Sequence, residues 1–300
     1  MGPLILFLTT FIWGTAFLAQ KLGADTLGPF AITAVRNLLG GAFLLGVIVV
    51  RNARRRPGAG DSARLSVRRS VWAGVCCGVP LFLAMLTQQI GIERTTPGIC
   101  AFLTTNYVLI VPLAAAVLTR TWPRPPIWLG VALALVGTYF LSIDGESLSI
   151  GSGEAWTLLC AVLFSVQMLC VDRFAKTSDL LVMSATQLLT CFVVGFPFLF
   201  LDSEGPRLAA FLSGLLSRPA TVLPVFYCGV FSSGIAYTLQ NFGQARTPPA
   251  LAAILLSTES VFGALSGYVV LGDVLSARQL VGCALVFAAA VLTSLLATRA

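Results

Sequence analysis

"GIERTTPGICAFL" (91–103) and "GQARTPPALAAIL" (243–255) are two versions of one stretch, set 152 residues apart without a gap. The same offset pairs Gln88 with Gln240, Arg94 with Arg246, Pro97 with Pro249 and Gly130 with Gly282. It also lays "GVALAL" (130–135) over "GCALVF" (282–287). Nearer the start, an offset of 151 places Trp13-Gly14-Thr15 over Phe164-Ser165-Val166. Self-similarity on this scale marks a chain built from two related halves, here 1–148 and 149–300.

Hydrophobic residues make up 57% of the 300 residues and charged residues only 10%. A soluble domain carries about 25% charge, so this chain lacks the polar cover for a water-facing surface. About 20 apolar residues span a bilayer as a helix, and ten such stretches occur, at roughly 3–22, 29–50, 70–91, 97–118, 126–143, 154–172, 180–201, 220–242, 248–271 and 278–297. The first has no basic segment before it and is read as a retained helix, not a signal peptide. No stretch is long and polar enough for a soluble domain.

Lysine and arginine in the loops set the orientation. With the N-terminus cytoplasmic, thirteen of the 19 fall in cytoplasmic loops or the C-terminal tail, five fall outside, and Arg36 lies within a span. Both termini are therefore expected in the cytoplasm of a plasma-membrane protein. The run "RNARRRPGAGDSARLSVRR" (51–69) serves as the topology signal. It gives no reason to expect nucleic acid as a partner, while membrane lipids are partners by necessity.

Each half contributes five spans, an odd number, so the halves enter the membrane from opposite sides. The fold class that follows is all-α integral membrane, ten transmembrane helices as two inverted-topology five-helix repeats. Secondary transporters are built this way, with sites near the midplane at the repeat interface.

The sequence resembles the EamA-type family of the drug/metabolite transporter (DMT) superfamily. The resemblance is carried by "FIWGTAF" (11–17), Arg36, "RTTPGICAFLTTNYVLIVPLAA" (94–115) and the stretch from "LQNFGQARTPPALAAILLSTES" (239–260) on to Val286. It covers nearly the whole chain and is similar to the YddG-type amino-acid exporters within that group. It implies export or exchange of small metabolites such as amino acids. The halves have diverged, however: Trp13 is answered by Phe164 and Arg36 by Gln187.

Glu259 is the residue that most needs explaining. It lies about eleven residues into the ninth span, or roughly 16 Å, which is half the hydrocarbon thickness. A charge there costs about 2.5–3.5 kcal/mol on insertion scales and normally faces the bundle interior. Its repeat partner is Tyr107, at similar depth from the other side, and Asn106 pairs with Thr258. Glu259 could bind a substrate amine or carry a coupling proton; alternatively it is a structural carboxyl bonded across helices or to Arg36. Arg36 could pair with Glu259, meet a substrate carboxylate or snorkel to the interface. Gln88 and Gln240 could line a cavity or bond between helices. Trp13, Tyr237 and Tyr107 could wall a pocket. "Thr96-Pro97" and "Thr247-Pro248" read as N-cap threonines before a first-turn proline. "GVCCG" (74–78) and "GALSG" (263–267) permit close helix approach.

The eight cysteines all lie in apolar runs without CxxC pairs, and histidine is absent. Neither a metal site nor a cofactor is expected, and a membrane-embedded enzyme would have little to work with. No phosphate-binding GxxxxGK[ST] loop occurs. The expected function is secondary transport of a small molecule, with amino acids ahead of drugs or quaternary ammonium compounds and with protons as a candidate coupling ion. A non-transporting scaffold or sensor would leave Glu259 and the repeat without a purpose. The sequence leaves the oligomeric state open.

Overall fold

The computed structural model describes residues 1–24, 27–54, 61–95, 97–142, 151–201, 205–214, 219–272 and 274–298. Ten helices among them are long and apolar enough to cross a membrane: α1 Gly2–Gly23, α2 Pro29–Ala53, α3 Ser66–Arg94, α4 Ile99–Thr119, α5 Pro125–Ser142, α6 Ser152–Ala175, α7 Leu180–Phe200, α8 Val222–Gln244, α9 Pro249–Val270 and α10 Ala277–Leu296. They fall where the apolar runs predict. The main extension is at α3, whose helix begins at Asp61 and takes in part of the basic run expected as loop. Between Gly60 and the apolar part that starts near Ser70 there is no proline or glycine to stop the helix from projecting beyond it. Arg55, Arg56, Arg218 and Arg299, counted in the charge asymmetry, lie outside the described residues.

Local signals start and stop these helices. Proline opens α2, α5 and α9, where its missing N–H costs nothing. Asp179 caps α7 by accepting the N–H groups of Leu181 and Val182 at 3.1 and 3.4 Å. At the far end of α4, Arg120 is left-handed with φ 56°; at the repeat-equivalent position after α9, Gly272 has φ 74°. The expected cap at Thr247 is not formed: Pro248 is the N-cap, Pro249 is the first helical residue, and the buried Thr247 hydroxyl has no partner. With two consecutive prolines, the helix begins at the second, one residue later than expected. Thr96, its counterpart, lies outside the described residues.

Packing follows the repeat. The third helix of each half docks onto the first two helices of the other: α3 onto α6 and α7, α8 onto α1 and α2. The last helices, α5 and α10, pack on each other. These contacts are backbone-close because small residues line them. A Cβ on Gly74 or Gly78 of "GVCCG" would stand 2.7 Å from the Met183 or Gln187 carbonyl of α7. A Cβ on Gly137 would meet the Gly282 carbonyl at 2.9 Å, and one on Gly282 the Gly137 carbonyl at 2.6 Å.

Two pins tie the α3–α6–α7 group together at its ends. At one end the Arg51 guanidinium of α2 meets the Asp179 carboxylate at 2.9 Å, and the Asp179 N–H donates to the Ser70 hydroxyl at 2.7 Å. At the other, the Thr95 hydroxyl donates to Glu154 at 2.5 Å. Burial pushes the Asp179 carboxyl up, but Arg51 and the two capping N–H groups outweigh it, leaving the carboxyl below its usual range.

Replacing Gly282 with Val should lower stability by about 1–3 kcal/mol, as overpacking against rigid backbone does; thermal unfolding in detergent checks it. Because the folded Asp179 carboxyl titrates below the unfolded one, its contribution is present above the unfolded value of about 3.9 and is lost as pH falls through the folded value. Asp179→Asn should therefore melt below wild type at pH 7, with the gap closing as the pH is taken below about 4. A gap of constant size would show that the charge is irrelevant.

Candidate functional site

α4 and α9 are each broken near mid-span. Helical geometry lapses at Thr105-Asn106 and again at Ser257-Thr258, positions 152 apart, and resumes at Tyr107 and Glu259. At each break the backbone N–H bonds three residues back instead of four, which bypasses the Phe102 carbonyl in α4 and the Ile254 carbonyl in α9; hydrocarbon cannot satisfy these, and a polar side chain takes each. Ser257 donates to the Ile254 carbonyl at 2.7 Å and Thr258 to that of Leu255 at 2.8 Å. The Asn106 amide donates to the Phe102 carbonyl at 3.3 Å, while the further bonds of Thr105 to Ala101, Asn106 to Leu103 and Thr258 to Leu255 go to carbonyls that also accept a backbone N–H. The "STES" (257–260) polar cluster thus has two tasks. Ser257 takes the Ile254 carbonyl that the break bypasses, and the break brings Glu259 to the first turn of a half-helix, where the positive end of the helix dipole favours a carboxylate.

The Tyr107 hydroxyl donates to Glu259 Oε1 at 3.2 Å. These two residues are repeat equivalents, and equivalents touch only near the axis that relates the halves. Both are buried, with 4% and 5% of their surface exposed. They border a narrow cavity of about 30 Å³, well below the size of a fully opened small-ligand site. Seven of the eight sequence-predicted residues line it: Trp13, Arg36, Gln88, Tyr107, Tyr237, Gln240 and Glu259. Asn106 does not, since its side chain turns back to its own helix. Thr104, two positions earlier, lines the cavity instead and receives the Gln88 amide at 3.4 Å.

Arg36 is 4% exposed and does not snorkel. Nor does it pair with Glu259: the ion pairs among the described residues are Arg51–Asp179 and Lys176–Asp172. Its guanidinium donates to three neutral acceptors, Gln20 Oε1 at 3.1 Å, Ser233 Oγ at 3.1 Å and Ser232 Oγ at 2.9 Å. Both serines belong to a π-helical stretch of α8, Cys228–Ala236. Such wider turns recur at functional sites, and here one presents two consecutive hydroxyls to a single guanidinium. The Ser232 carbonyl also accepts the Trp13 indole N–H at 3.2 Å, and the Trp13 ring lies 4.8 Å from that of Tyr237. Gln240 donates to Gln167 Oε1 at 3.2 Å, so it both lines the cavity and bonds between helices. Gln20, Thr104 and Ser232 were not singled out from sequence; a polar-residue scan of α1, α4 and α8 would have shown them without indicating where they face. Phe17, Phe164, Met168 and Leu256 supply apolar wall.

The arrangement is a narrow, partly open cavity between two inverted halves, with one carboxyl and one guanidinium on its walls. A family model for EamA-like transporters matches residues 1–143 and again 151–295. The chain belongs to the EamA-like transporter family. It is a multi-pass membrane protein and a transporter of small molecules. An uncharacterized transporter of Archaeoglobus fulgidus is 27% identical, over 96% of this chain and 84% of the relative. The uncharacterized inner membrane transporter YedA of Escherichia coli K12 is 23% identical over 97% and 89%. One crystal structure matches with a TM-score of 0.74 at 23% identity, covering 99% of this chain and 98% of the other, and so shares the fold.

Tyr107→Phe should cost about 0.6–1.7 kcal/mol, the worth of a hydrogen bond between membrane helices. Glu259→Gln, which keeps an oxygen to accept from Tyr107, should cost less. Paired thermal melts in one detergent compare them, and the reverse order would remove the bond from the account of stability.

Proposed function

We propose that this transporter carries amino acids, most readily neutral ones with large apolar or aromatic side chains, and carries them outward across the plasma membrane. Glu259 would take the substrate ammonium and Arg36 its carboxylate. The observation that supports this reading is that a buried carboxyl and a buried guanidinium share one cavity without pairing. Leaving each charge within hydrocarbon is costly, and a zwitterion supplies both counter-charges in one molecule. Trp13, Phe17, Phe164 and Tyr237 suit an apolar side chain.

Transport would be by alternating access. The repeats, 1–148 and 149–300, would rock about the axis near Tyr107 and Glu259, with both termini in the cytoplasm. When the substrate leaves, Glu259 would be free to take a proton, which links the cycle to a proton gradient. Gln88, Gln240 and Tyr107 would trim the site. Efflux of quaternary ammonium compounds is the competing reading, since Trp13 and Tyr237 could face such a cation, but Arg36 on the same wall disfavours it.

Counterflow of labelled amino acids in proteoliposomes, with and without a pH gradient, tests this. Glu259→Gln and Arg36→Gln should each slow counterflow about thirtyfold, equivalent to about 2 kcal/mol of charge-assisted bonding. Glu259→Gln should also abolish any stimulation by the gradient. Unchanged flux in folded Glu259→Gln would make that carboxyl structural, and flux confined to quaternary ammonium compounds would decide for the competing reading.

A further inference from the structure

A second concavity lies on the outside of the bundle, between α4 and α6. It is an open groove of about 690 Å³. Its floor and sides are apolar: Ile110, Leu113, Ala114 and Val117 from α4, Val166 and Leu169 from α6. At one end stands Arg173, exposed and in none of the ion pairs among the described residues.

The groove is peculiar to one half. Its repeat counterpart lies between α9 and α1, and there the helices touch. A Cβ on Gly14 of α1 would stand 2.7 Å from the Gly263 nitrogen of α9. The remaining space is filled by Phe262, 5.2 Å from the Phe7 ring and 5.4 Å from that of Phe11. At the equivalent positions of the α4–α6 pair, Gly14 becomes Ser165, Gly263 becomes Val111 and Phe262 becomes Ile110. Ser165 and Val111 are buried side chains where the closed seam has glycines, and Ile110 is smaller than Phe262. Leu22 answers Arg173, so the closed counterpart also lacks the cation.

We propose that this groove is a binding site for an anionic glycerophospholipid, with one acyl chain along the α4–α6 seam and the phosphate on Arg173. The length fits. From Ile110 to Leu118 the helix rises about 12 Å, most of one leaflet's half of the roughly 30 Å hydrocarbon core. The cation stands at the end of that run, near the Thr119 terminus of α4, at headgroup depth. A guanidinium suits a phosphate bidentately. A second copy of the chain is the poorer occupant, because its own α4–α6 face would bring another Arg173 instead of an anion.

The test uses the full-length protein, delipidated and mixed with equimolar dioleoyl-phosphatidylglycerol and dioleoyl-phosphatidylcholine, with retained lipid counted by native mass spectrometry. Wild type should retain phosphatidylglycerol about fivefold over phosphatidylcholine, the ratio for about 1 kcal/mol per basic residue near an anionic headgroup. Arg173→Gln, an exposed change outside the packed core, should bring the ratio to about one. Ala114→Phe, which fills the groove, should reduce retention of both lipids. Leu265→Phe at the α9 counterpart should change nothing. Equal retention of the two lipids by wild type would overturn the proposal, as would a preference that survives both Arg173→Gln and Ala114→Phe, or a dimer that Ala114→Phe dissolves and lipid does not affect.

Discussion

A hydrocarbon core offers no hydrogen-bond partner, so every polar group placed there must find one within the chain. That constraint explains the breaks in α4 and α9. A helix that breaks at mid-membrane exposes carbonyls, and here Asn106 and Ser257, at the breaks themselves, take those of Phe102 and Ile254. The cost of the break is thereby contained, and the chain gains two half-helix starts deep in the bilayer. Tyr107 occupies one and Glu259 the other, and their hydrogen bond joins the halves beside the axis that relates them.

The same constraint accounts for Arg36. A guanidinium has five N–H donors, and three of its bonds go to neutral oxygens of α1 and α8. Neutral acceptors satisfy the N–H groups but leave the charge. An arginine bonded to a carboxylate would be finished; this one is held in position with its charge uncompensated. The π-helical stretch of α8 belongs to that arrangement, since it supplies both serines and the carbonyl that orients Trp13.

Divergence between the halves gives the molecule its polarity. Ancestrally equivalent surfaces now differ: the closed seam has Gly14 and Gly263 where the open one has Ser165 and Val111. Arg36 stands where the other half has Gln187. The architecture keeps the symmetry that alternate exposure of a central site would need, and single-residue differences give each side its own chemistry.

The ten spans, the two halves and their opposed orientation were legible in the sequence, because hydropathy over about 20 residues and a gapless 152-residue offset depend on nothing beyond the chain itself. So was the importance of Glu259, since a mid-span carboxyl is costly wherever it faces. What only the tertiary structure decided was direction. Adjacent residues on a helix point about 100° apart, and a break shifts that angle further. Asn106 therefore turned to its own backbone while Thr104 reached the cavity, and no periodicity could have separated them. Arg36's choice of Gln20, Ser232 and Ser233 over Glu259 likewise depended on how α1, α2 and α8 cross, and that is set by which glycines let backbones touch.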